Sequence, residues 1–69
     1  MPANGLIAVV MPGGHVAFEL VVKDARVVDM PPYARRLRLP ADARMTWRAL
    51  AARGCKLTWE PESDERNAP

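Results

Sequence analysis

Two valine-rich apolar runs, Leu6 to Met11 and His15 to Lys23, are separated only by Pro12-Gly13-Gly14, and this pattern constrains the fold more than any other feature. It reads as strand, tight turn, strand. In the second run Val16, Phe18, Leu20 and Val22 alternate with Ala17, Glu19, Val21 and Lys23, so the first set is expected to face a core. Arg26 to Met30 continues as a third strand. A two-residue loop at Asp24-Ala25 would place Asp29 on the face carrying Leu20 and Val22. A three-residue loop pairs Val28 with Val22 and Met30 with Leu20, and it is the preferred expectation.

Pro31-Pro32 ends the sheet segment, and Tyr33 to Leu39 is expected to form a short helix with Tyr33 and Leu37 on one face. Its other face carries Arg35, Arg36 and Arg38. Pro40 breaks the chain before Asp42, the expected N-cap of a helix through Arg53, with Gly54 as its stop. Ala43, Trp47, Leu50 and Ala51 make the core-facing stripe of that helix. Cys55, Leu57 and Trp59 then alternate with Lys56, Thr58 and Glu60 as a fourth short strand. The order β-β-β-α-α-β predicts an α+β fold: a small antiparallel sheet of three to four strands, with a short and a longer helix packed on one face. The back of that sheet would show Ile7, Val9, Met11, Ala17 and Val21, an apolar surface suited to a homodimer or another partner.

Sixty-nine residues fit one small domain, assigned to 1–60. A chain this short buries only about 60% of its unfolded surface. The tail 61–69 is acidic, has no large apolar residue, and is expected to be disordered. A single cysteine permits no internal disulfide, and the N-terminus lacks the marks of a signal peptide, so a cytoplasmic location is the default expectation. No apolar stretch approaches the roughly 18 residues a membrane span requires.

The segment from Val16 to Arg35, followed by an amphipathic helix and Arg53-Gly54, resembles a group of small uncharacterised phage and mobile-element proteins. Asp24, Arg26, Val27, Val28, Pro32 and Arg35 stand on positions of that pattern. Ala25 replaces an expected Gly, while Arg36 and Cys55 each replace an expected Trp. The resemblance implies the same element order and an origin in a phage, plasmid or integrated element, and it brings no activity or site residue with it.

Conventional chemistry is thinly represented. Cys55 and His15 are far apart in sequence with no third orienting group, and Cys55 follows a helix C-terminus, which disfavours a thiolate. One His and one Cys fall short of a metal site. Gly13-Gly14 lacks the Gly-Lys-Ser/Thr ending of a phosphate loop, and Glu60 and Glu62 read as solvated charge. No enzyme activity, cofactor or small-molecule substrate is therefore expected. Trp47 and Trp59 read as core residues, leaving Tyr33 as the aromatic group available for stacking.

The strongest functional signal is charge. Seven of the ten Lys and Arg residues fall between Tyr33 and Lys56 against one carboxylate, Asp42. Tyr33, Arg35, Arg36, Arg38, Arg44, Arg48, Arg53 and Lys56 form the candidate interface. Guanidinium groups pair bidentately with phosphate or carboxylate, so the first expectation is a non-catalytic accessory protein that binds nucleic acid, preferentially DNA, through an arginine-rich helical face. The alternative is a protein-binding inhibitor or modulator of a host defence or replication enzyme, whose acidic surface would receive the arginines.

Overall fold

The sheet is built around strand β1 (Gly5–Val10), which pairs antiparallel with β2 (Ala17–Lys23) on one side and with β4 (Lys56–Pro61) on the other. Strand β3 (Arg26–Asp29) lies outside β2, giving the antiparallel order β3-β2-β1-β4. The computed structural model describes residues 4–62, and in them the α+β order β-β-β-α-α-β is complete. Helices α1 (Pro32–Arg35) and α2 (Ala43–Ala52) connect β3 to β4.

Strand parity sets the core. Ile7 stands opposite Leu20 and Trp59, and Val9 opposite Phe18 and Leu57, so these side chains share one face. Ile7, Val9, Leu20 and Val22 are fully buried there with Ala34, Ala43 and Leu50 from the helices. This corrects the expected back face. Ile7 and Val9 belong to the core, and Met11 packs against it, leaving only Ala17 and Val21 of the expected set outside. The outer face carries Leu6, Ala8 and Val10 down its centre, flanked by Glu19 and Val21 on β2 and by Lys56, Thr58 and Glu60 on β4. It is narrower and more polar than the sequence suggested, because the notional outward parity of β1 is inverted.

The β2–β3 connection is also corrected. Lys23 pairs directly with Arg26, so the loop is the two-residue Asp24-Ala25, with φ of 53° and 61°. Two positive φ values are the mark of a type I′ turn, which suits the strand twist. The parity conflict is resolved inside β3 instead: Val22 pairs with Val27 and Val21 with Asp29, so Val28 is an extra, bulged residue. Val28 is 59% exposed as a result, while Val27 and Met30 pack against the core. Asp29 thereby reaches the outer face without lengthening the loop.

Helix α1 is shorter than expected. Four residues are helical, and looser i to i+3 bonds carry the turn on to Arg38, whose φ of 54° reverses the chain. Ala34 is its buried residue. In α2, Asp42 caps the N-terminus by accepting from the Met45 N–H at 3.0 Å. The C-terminus closes with Gly54 at φ 88°, as the Gly54 N–H donates to the Ala51 carbonyl and the Cys55 N–H to Leu50, the two bonds of a Schellman stop. The buried stripe is Ala43, Thr46 and Leu50, with Trp47 half-buried beside them. Ala51 is exposed, and Thr46 takes the expected apolar place because its hydroxyl donates to the Pro40 carbonyl at 2.6 Å. A buried hydroxyl is tolerated when so bonded.

β4 runs through Pro61, and the Glu62 N–H donates to the Asn4 carbonyl at 3.1 Å while its carboxylate pairs with Lys23. The folded unit thus extends past the expected boundary at residue 60. The remainder of the proposed acidic tail, 63–69, lies outside the described residues.

Two substitutions test this account by chemical denaturation. Ala25→Gly is expected to stabilise the protein by about 0.5–1 kcal/mol, since Gly occupies the left-handed region without a Cβ penalty. Gly5→Ala is expected to destabilise it by about 1–3 kcal/mol through overpacking. A Cβ at Gly5 would lie 2.5 Å from the Glu60 carbonyl oxygen and 2.7 Å from the Trp59 ring, and the backbone contact has no rotamer to relieve it.

Candidate nucleic-acid interface

The helices cover one face of the sheet, and their outward sides hold most of the candidate residues. Arg35, Arg36, Arg38, Arg44, Arg48, Arg53 and Lys56 are all exposed. Among the described residues none of the seven lies within ion-pairing distance of a carboxylate; the one salt bridge joins Lys23 to Glu62. Asp42, the only acid in the basic block, turns its carboxylate to the α2 backbone as the N-cap. Among the described residues, the block's charge is therefore presented to solvent rather than paired within the fold.

The residues do not form one continuous patch. Arg53 reaches back from the end of α2, where its Nη2 donates to the Leu37 carbonyl at 3.4 Å, so that flank of α2 faces the α1 turn. At about 100° per residue, Arg44 and Arg48 lie roughly 180° and 140° around the helix from Arg53. They project from the solvent side of α2, and Met45, about 60° around the helix from Arg48, is 56% exposed beside them. Arg35, Arg36 and Arg38 form a second group on the α1 turn, and Arg35 borders a shallow depression of about 200 Å³ with Val27, Val28, Asp29 and Met30.

Lys56 belongs to neither group. It stands opposite Val10, on the outer face of the sheet and away from the helices. The sequence placed it with the arginines because it follows them closely, but entry into β4 reverses its side. Period-two alternation at Lys56, Thr58 and Glu60 was the signal that separates it.

Tyr33 is 42% exposed, and its ring lies 5.8 Å from that of Phe18 at an interplanar angle of 50°. This tilted contact, typical of aromatic pairs, holds the ring against β2 at the end of the sheet. Trp47 and Trp59 both pack against the core, and the Trp59 Nε1 is buried without a hydrogen-bond partner. Cys55 is half-buried, and its thiol approaches the Met11 sulfur at 3.5 Å. His15 is exposed in the first hairpin turn. Among the described residues no three His, Cys, Asp or Glu side chains gather as a metal site, and no helix is long and apolar enough to cross a membrane.

The chain matches no family model, no curated protein and no solved structure.

One positional constraint was not visible in the sequence: Arg38 occupies the left-handed region, where a non-Gly residue is uncommon. Arg38→Gly is expected to raise stability by about 0.5–1 kcal/mol in the same denaturation assay while removing one exposed cation, which separates the residue's backbone position from any use of its charge.

Proposed function

We propose that this protein is a small non-catalytic accessory protein, of phage or mobile-element type, that binds nucleic acid through the arginines of its helical layer. The observation that carries this reading is the exposure of Arg35, Arg36, Arg38, Arg44 and Arg48 without a carboxylate partner among the described residues. Exposed guanidinium groups suit the phosphate backbone, where contacts position the protein without reading sequence. DNA is the preferred partner, with Tyr33 at the border of the α1 group as a stacking side chain for unpaired bases. Arg53 contributes charge while bracing the α1 turn, and Lys56 is left out of the surface.

A second reading is favoured by a specific feature. Met45 stands exposed beside Arg44 and Arg48, and an apolar side chain bordering a basic patch suits an acidic protein surface with an apolar neighbour. In that case the protein would act by occupying a functional surface of a host enzyme.

A salt titration of binding to short duplex and single-stranded DNA distinguishes them. Each phosphate contact contributes about −0.9 to the slope of log K against log salt for duplex DNA. Arg44→Ala with Arg48→Ala is therefore expected to weaken binding and to flatten that slope by about 2. Arg26→Ala, which removes a cation on the outer face of the sheet, should leave both unchanged. Absence of binding at low salt, where electrostatic attraction is strongest, would overturn the nucleic-acid reading and leave the protein-partner one.

A further inference from the structure

The fold treats the two edges of its sheet differently. The outer edge of β3 is closed by the segment before α2: the Val27 N–H donates to the Ala41 carbonyl at 2.8 Å, and the Ala43 N–H to Ala25 at 2.9 Å. No such segment covers β4 among the described residues. An uncovered edge strand is a template for another strand.

The register identifies which groups of β4 are free. The Glu62 N–H donates to the Asn4 carbonyl at 3.1 Å, continuing the ladder in which Glu60 faces Leu6, Thr58 faces Ala8 and Lys56 faces Val10. Across β1, the Met11 N–H donates to the Val16 carbonyl at 2.8 Å, so Gly5, Ile7 and Val9 direct their backbone groups to β2. Antiparallel ladders alternate in this way. Lys56, Thr58 and Glu60 therefore bond to β1, and Leu57 and Trp59 aim both N–H and C=O outward. The flanking positions of the same parity are spent: the Cys55 N–H is held by Leu50 at 3.2 Å, and Pro61 has no N–H.

We propose that this edge pairs with the same edge of a second copy, antiparallel about a two-fold axis at Thr58, joining the two sheets into one. Only in that register do both hydrogen-bonded pairs consist of residues with a free donor and a free acceptor, Leu57 of one copy exchanging bonds with Trp59 of the other. The same register sets Lys56 of each copy opposite Glu60 of the other and Thr58 opposite Thr58, so the charges on the outer face are self-complementary. Directly opposed unlike charges and Thr pairs both favour a cross-strand contact; the two-fold axis makes the Lys56–Glu60 pair occur twice, with the Thr58 pair once on the axis. The axis runs through the sheet, so both copies of α2 lie on the same side of the joined sheet. This inference does not depend on what the arginines bind.

The test is the mass of the protein by sedimentation over a wide concentration range, with circular dichroism to verify folding. The wild type is expected to dimerise. Lys56→Glu and Glu60→Lys, each placing like charges opposite one another at two symmetric points, are each expected to weaken the dimer about tenfold or more, and the double variant K56E/E60K to restore it. Ala8→Arg, at the centre of the outer face, is expected to leave the dimer intact. A protein that stays monomeric at the highest concentration reached would overturn the proposal. So would a dimer that Ala8→Arg dissolves, which would assign the contact to the sheet face, or one whose charge reversals are not rescued by the double variant.

Discussion

The parity of β1 is the constraint on which the rest of the structure depends. Because β1 is bonded on both sides, assigning Ile7 and Val9 to the core fixes Leu20 and Phe18 on β2 and Trp59 and Leu57 on β4 at once. A shift of one residue would expose all of them and bury Glu19 and Glu60. Gly5 extends the same logic to the end of the strand. The Trp59 ring lies over it, where any Cβ would collide. A small core is thus made by placing a large aromatic against the backbone, which partly offsets the low burial open to a chain of this length.

The element order, the α2 caps and the last strand were legible because their signals are local. Asp42 and Gly54 announce the ends of α2 by their own chemistry, and Cys55, Leu57 and Trp59 alternate without ambiguity. The errors fall where two local solutions were equivalent at the level of pattern. Six consecutive apolar or small residues in β1 give no parity of their own, so the face of Ile7 was set by its neighbours rather than by its sequence. Both a three-residue loop and a bulge at Val28 bring Met30 to the core side. The fold takes the bulge, which keeps the tight turn although Ala25 must adopt a positive φ. Thr46 was passed over because its hydroxyl reads as polar until Pro40 is seen to accept it.

The candidate site was legible in residue type and less so in arrangement. All seven cations of the basic block are exposed, but their common proximity in sequence is divided in space by two reversals of the chain. The left-handed turn at Arg38 separates the α1 group from α2, and the stop at Gly54 sends Lys56 to the other side of the sheet. The single internal acid, Asp42, is committed to an N-cap. Exposed charges at such separations repel one another only weakly in water, about 1 kcal/mol even at 4 Å, so the fold carries this cationic surface at little cost in stability.

The same division gives the two faces of the sheet different characters. On the helical side the exposed arginines have no carboxylate partner among the described residues, so their charge is open to a partner or to salt. On the outer side, Lys56 and Glu60 alternate along β4 with Thr58 between them, an arrangement that balances itself only when the strand is read against its own reverse. A lone edge strand shielded against association would be expected to turn like charges along its edge or to break its ladder throughout. Among the described residues β4 instead keeps two consecutive outward-bonding positions open, at Leu57 and Trp59, and bounds them with a proline and an occupied N–H. That limits the length of any strand that can add there and leaves one symmetric register in which all four free groups are matched.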